Sequence, residues 1–355
     1  MLKKSVFLLL ALAIFGCADS LNEDIDVQTP QSEDPPCFIG PGGLDCDIID
    51  PPPPPPPPTP DPIFQYFHRG ESSSGMSWAK SINTGLSWTV GTVNNGAGTS
   101  AGPAAVFHQN TLHVFYKGNS DDRIFRSNSF NNGSTWGGNL VVNSTSRTLQ
   151  EVSAISFGGK IFLGYDGRYN DNATFVTSTD GYTWSGEIQL PRTTSGRVTE
   201  APAFVEFEGD LYAAYVDTDN RLWLHKYNSS TNTWNTRFEL NHPNLTSYTA
   251  DGISAVEFNG HIYFAYRSTN QNFVETWGWD PNGVPTQFTT PRYLNLAKTS
   301  TRPSITTDGN TLMVIFKNNP NNQIWQAKST NAWNWTTNQV SGKTTQAPYV
   351  IYYED

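Results

Sequence analysis

Three carboxylates, Glu151, Glu200 and Asp251, stand at intervals of about fifty residues, and Arg302 follows at the same interval. Two carboxyl groups brought face to face can divide the work of acid and base in glycoside hydrolysis, where a separation of about 5 Å implies retention and about 6.5–9.5 Å inversion. Arg69, Lys117, Arg267 and Lys317 each close an apolar run. Arranged around the carboxylates, these cations would grip a polar or anionic ligand through charge-assisted hydrogen bonds. Paired with one another, the same charges would plug a solvated channel. Trp78, Trp223 and Trp325 recur at what the spacing gives as one position. They serve either packing between sheets or stacking on the apolar faces of a ligand held in pockets between sheets. The catalytic candidates are therefore Glu151, Glu200 and Asp251, and the ligand-binding candidates are Arg69, Lys117, Arg267, Arg302, Lys317 and the three tryptophans.

Other chemistries lack their residues. The 6 histidines form no H-E-x-x-H and no paired spacing, so no metal is expected. There is no G-x-S-x-G elbow, P-loop or dinucleotide fingerprint, and no cofactor is expected. Asp121-Asp122 and the run 318–322 read as solvated loops rather than calcium sites. The formal charge of -10 is concentrated in residues 1–62, which hold 10 acidic and 2 basic side chains against 22 and 20 in the remainder. Basic residues in that remainder are dispersed among acids, which disfavours nucleic acid as a partner.

The elements that must position these residues repeat. Pro103–Tyr116 (PAAVFHQNTLHVFY) and Pro202–Tyr215 (PAFVEFEGDLYAAY) share a length and a central turn with Val152–Tyr165, Ile253–Tyr266 and Pro303–Phe316. Each is two short apolar strands about a turn bearing Gly or Asn, followed by a polar loop, a third strand such as 221–224 and a fourth that usually begins at Trp. Aromatics make up 13% of the chain and charged residues 15%, with 29 Gly and 24 Pro, a composition suited to short strands and turns rather than helices. Four strands at this period mark an all-β, six-bladed β-propeller over residues 63–355. Residues 64–94 supply strands two to four of one blade and residues 347–353 its inner strand. That composite blade would close the ring without open edges.

The turns between third and fourth strands carry a second signature. Ser81 to Trp88 and Ser129 to Trp136 fit S-x-(D/N)-x-G-x-x-W, and Ser178 to Trp184 and Ser329 to Trp335 are one residue shorter. These resemble the Asp-box (BNR) repeats of sialidase-like propellers, and the region from about 63 onward is similar to that superfamily and to the fucose-specific lectin propellers. The resemblance implies a structural role for the box and places ligands on the face where the inner strands begin. It also implies carbohydrate as the ligand. A sialidase would require an arginine triad and a Tyr–Glu pair. This chain departs from that: Thr301-Arg302-Pro303 is late, no Tyr–Glu pair matches, and only the positions of Arg69, Arg267 and Arg302 suggest a triad. Carbohydrate binding without turnover is the leading expectation, a glycan-cleaving hydrolase or lyase the alternative and a protein-binding scaffold the third.

Lys3 and Lys4, the apolar run 6–15 and Gly16-Cys17 resemble a lipoprotein signal peptide over residues 1–16, with Cys17 as the lipid-attachment residue. Ala18, with no Asp after the cysteine, resembles outer-membrane sorting. Residues 17–62 read as an acidic, proline-rich stalk in which the run 51–58 extends roughly 25 Å as polyproline II. Cys37 and Cys46 read as a local disulfide. The expected product is exported, monomeric and held at the cell envelope by its lipid alone.

Overall fold

The computed structural model describes residues 61–354 except 169–171, 192–196, 199, 236–237, 241–247, 270 and 284–286, together with strands Phe38–Gly40 and Gly43–Asp45. Those two strands belong to a first unit, Met1–Pro58, and pair antiparallel with Phe38 opposite Asp45. Cys17, Cys37, Cys46 and the proline run lie outside the described residues.

The second unit, Thr59–Asp355, holds six antiparallel sheets and no helix among its described residues. Blade 1 is composite: its inner strand Tyr349–Glu354 pairs with Pro62–Arg69, and Gly75–Ser81 and Thr89–Gly98 follow. Inner strands Ala104–His108, Val152–Phe157, Ala203–Phe207, Tyr248–Phe258 and Ser304–Thr307 begin blades 2 to 6. Each inner strand touches the next, and that of blade 6 touches that of blade 1. The ring is closed, and the molecule is a six-bladed β-propeller with one blade built from both ends of the domain.

Second strands are near-continuous apolar runs because neighbouring blades cover both of their faces. Thr111–Lys117 is buried at every position. Six core clusters result, each straddling one junction, as where Phe67 and Met76 of blade 1 meet Leu112 and Val114 of blade 2. Two outer edges depart from the four-strand pattern. In blade 4 the edge splits into Thr233–Trp234 and Phe238–Glu239, with Asn235 bonded to Lys226 through both backbone and side chain. In blade 5 it splits into Gln287–Phe288 and Arg292–Lys298 around Pro291, which has no N–H to give to a ladder.

The S-x-(D/N) turns are held by their own side chains. Ser129 Oγ donates to Asn131 Oδ1 at 3.0 Å and accepts from Gly133 N at 2.9 Å, while Asn131 Oδ1 accepts from Thr135 N at 2.8 Å. Asp180 accepts from the amides of Tyr182 and Thr183, both at 2.7 Å, and those bonds pull its carboxyl down to about 2. Gly133 sits at φ 87°, a conformation open to glycine without steric cost. In blades 2 and 3 the tryptophan that ends the turn packs edge-on against the preceding blade, Trp136 on Phe67 at 6.0 Å and Trp184 on Phe115 at 5.4 Å, whereas Trp88 meets Tyr66 of its own blade edge-on at 4.9 Å.

The register corrects one equivalence. Trp223 and Trp325 lie opposite Tyr215 and Phe316, as Phe125 lies opposite Tyr116. Trp78 lies opposite Phe67, one step further along, where blade 2 has Arg126 opposite Phe115. One step reverses the face of a strand. Trp78 therefore packs on the following blade, with Ala105 and Leu112, whereas Trp223 packs on the preceding one, with Phe162 and Phe175.

Candidate functional site

The upper face, where the inner strands begin, gathers Glu151, Glu200, Asp251 and Arg302 from the starts of four consecutive blades. Arg302 crosses the axis. Its Nε lies 3.7 Å from Glu151 Oε2, and its Nη2 donates to Val152 O at 3.3 Å, on the blade opposite its own. Glu151 Oε1 accepts from Ala347 N of blade 1 at 3.4 Å. Both side chains are almost wholly buried, at 10% and 5% exposure. This bar fits because its neighbours lack side chains: a Cβ on Gly102 would meet Ala347 O at 2.5 Å and Glu151 Cγ at 3.0 Å. Beneath it Tyr349 reaches across the channel and donates to Ala154 O at 2.9 Å. The cavity touching both Arg302 and Tyr349 is about 40 Å³, room for a water-sized molecule and not for a sugar.

Burial pushes the Glu151 carboxyl up, and the Arg302 guanidinium holds it down in part. Glu200 is pushed well up, first by burial and then by the charge of Glu151. Its Oε2 is buried with no hydrogen-bond partner among the described residues. Asp251 forms an ion pair with Arg267; burial raises its carboxyl and Arg267 opposes the rise. The upper centre is thus a mixed-charge cluster with one carboxyl, Glu200, left over.

The remaining cations are brought to the rim and spent on the linkers between blades. Lys117 Nζ donates to Ser100 Oγ at 2.8 Å and lies 3.2 Å from Asp122. Lys317 Nζ donates to Ser300 Oγ at 2.7 Å, and Arg69 Nη1 to Thr345 Oγ1 at 2.6 Å. Burial lowers both lysines. Ser100, Ser300 and Thr345 occupy the same linker position in three repeats, each following a fully buried threonine (Thr99, Thr299, Thr344) whose hydroxyl bonds the carbonyl two residues on. Asp166 takes the cation's place in blade 3, bonded by the Thr148 hydroxyl and by Leu149 N at 3.2 Å. Sequence reasoning passed over these linkers, although the Thr recurring four residues before Pro103, Val152, Pro303 and Pro348 was a visible signal.

Two equivalent clefts open between blades. The one between blades 1 and 2 is about 340 Å³ and is lined by Gly96, Gly98, Tyr116, Asp121, Arg123 and Phe125. Tyr116 and Phe125 lie stacked, with centroids 6.0 Å apart, and the Arg123 guanidinium stands 5.2 Å from the Phe125 centroid. Asp121 fixes that guanidinium by two bonds of 2.8 and 2.6 Å. The cleft between blades 6 and 1, about 300 Å³, presents His68 and Ser77 at the positions of Tyr116 and Phe125, and Trp78 joins its wall. At the junction of blades 3 and 4, Trp223 is bonded to Asp217 Oδ2 at 2.7 Å and has Arg221 5.4 Å from its ring centroid. Trp325 packs on the blade 5 side of its junction and stays half-buried.

With the ring, the upper cluster and the clefts established, known proteins can be set beside them. The fold is that of fucose-binding lectins and sialidases. A variant of the Aleuria aurantia lectin, solved with alpha-methyl-L-fucoside, matches at TM-score 0.54 and 15% identity over 81% of this chain and 98% of that one. A variant of NanB sialidase from Streptococcus pneumoniae matches at TM-score 0.57 and 10% identity, over 73% of this chain and 63% of that one. A Hadza microbial sialidase gives TM-score 0.56 and 12% identity, over 79% and 63%. The chain therefore spans under two thirds of each sialidase. No protein-family model matches the chain, and no curated protein does. At these identities the likeness is one of fold.

Proposed function

We propose that this propeller binds carbohydrate without turnover, in the clefts between its blades, and that residues 1–62 tether it to the cell surface through Cys17. The reading rests on the cleft between blades 1 and 2. A stacked aromatic wall, a guanidinium fixed by Asp121, and polar loop groups in about 340 Å³ supply apolar faces, donors and acceptors on the scale of a sugar ring. The lectins and sialidases that share the fold agree with a saccharide ligand. Its test is a broad glycan array probed with the full chain, followed by titration of Arg123→Ala. Selective binding that weakens at least about tenfold in the variant supports the reading, since a lost charged hydrogen bond costs about 1.5–3 kcal/mol. A blank array, or an unchanged affinity, refutes it. Loss of fatty-acid labelling in Cys17→Ser would support the tether.

Glu200 favours the alternative of a glycan-cleaving enzyme. Burial, and after it the charge of Glu151, make the Glu200 carboxyl hold its proton more tightly than an ordinary carboxyl, the direction in which a general acid is tuned. Against it, the other two candidates, Glu151 and Asp251, are both committed to arginines. Turnover of any bound glycan that disappears in Glu200→Gln would establish the enzyme and end the binding-only reading.

A further inference from the structure

The geometry points to a second binding site on the lower face, where the inner hairpins turn, for a small organic cation with an apolar body. Below the Tyr349 crossing, the axial channel widens into a cup of about 820 Å³ walled by all six inner strands. Its wall is aromatic and aliphatic: Phe107 stacks on Tyr353 at 4.5 Å and 15°, and Ile155, Val256, Ile305 and Tyr352 complete it. Its charged lining is of one sign. Glu206, Glu208 and Glu257 come from the inner hairpins of blades 4 and 5, and none of the described residues lining the cup is basic.

These carboxylates are not spent on ion pairs with the wall. Glu206 is exposed, Glu208 accepts from Asn282 Nδ2 at 2.7 Å and Glu257 from Gly260 N at 2.9 Å. Each neutral donor occupies one acceptor site of a group that has about four. The upper face uses its acids against Arg302 and Arg267, and on the lower face Lys226 takes up Asp210, whereas Glu206, Glu208 and Glu257 have no ion pair among the described residues. A low-dielectric cup rimmed by one sign of charge concentrates field at its mouth and selects the opposite charge. Aromatic faces add attraction for a cation drawn below the rim. A protonated amine on an aromatic or alkyl body meets both demands, whereas an anionic glycan is repelled. This site is separate from the clefts between blades and does not depend on their ligand.

Dansylcadaverine, a fluorescent primary amine, and its N-acetyl derivative, which is neutral and similar in shape, test the site on the full chain. The amine is expected to bind saturably with a blue-shifted emission. The acetylated probe and the double variant Glu206→Gln/Glu257→Gln should each lower affinity by about tenfold, in keeping with the loss of one charge-assisted contact. Both substitutions lie on hairpin surface, and an unchanged unfolding midpoint would show that the variant folds. Absence of saturable binding overturns the inference. So does equal binding of the two probes, or binding that the double variant leaves intact.

Discussion

Replacing Arg302 with Met tests whether the bar across the axis holds the ring together. The guanidinium stands 3.7 Å from Glu151, and both groups are almost fully covered. At an effective dielectric of about 20 the attraction is about 4 kcal/mol, and removing one partner of such a pair costs about 3–5 kcal/mol because the other charge is stranded. The size of the loss should follow pH. Burial raises the Glu151 carboxyl above its ordinary value, so its contribution to stability is fully present below the unfolded value and is lost as pH rises through the folded one. Without Arg302 the folded value climbs further, and the loss becomes deeper and extends to higher pH. Urea unfolding of parent and Arg302→Met at about pH 4 and about pH 8 should show a small difference at the lower pH and several kcal/mol at the higher. The double variant Glu151→Gln/Arg302→Met should recover much of the stability lost at high pH. An equal loss at both pH values, or a loss under about 0.5 kcal/mol, would refute an electrostatic bar.

Other perturbations follow from single contacts. Burial pushes Asp166 up to about 6 despite its bonds to Thr148 and Leu149, so it should cost stability as pH rises from about 4 to about 6; Asp166→Asn should flatten that part of the melting-temperature profile. Asn131→Ala removes the acceptor of Thr135 N and of Ser129 Oγ, and should lower the unfolding free energy by about 1 kcal/mol in a chemical melt with little effect on ligand affinity. Trp223→Ala, at a side chain 9% exposed and bonded to Asp217, should destabilise by about 3–5 kcal/mol. Trp325→Ala, at a half-buried ring, should cost less stability, and calorimetry of both variants against the array-selected glycan would show which ring the ligand touches.

The ring itself was legible in the sequence because each blade repeats a local pattern: two apolar runs about a turn, a polar loop, a third strand and a turn that bonds to itself. Such patterns depend on neighbours a few residues away, so Ser129, Asn131 and Gly133 could be assigned from their spacing alone. The composite blade followed from arithmetic, since residues 64–94 lacked the inner strand that residues 347–353 supplied. The spacing also brought Glu151, Glu200, Asp251 and Arg302 to one face.

What those charges do there was decided by tertiary structure. Whether a carboxylate is free or spent depends on groups across the axis, such as Arg302 on the blade opposite Glu151 and Ala347 N at the other end of the domain. No local pattern encodes that meeting. The three tryptophans show the same limit at finer scale: a register shift of one residue turned Trp78 to the opposite face from Trp223 and Trp325. Spacing along the chain is set to within a residue or two by loops, whereas the face of a strand alternates at every residue. The lower cup lay beyond sequence reading for a related reason. Its walls are residues from six strands that look alike as core, and only closure of the ring leaves the space between them.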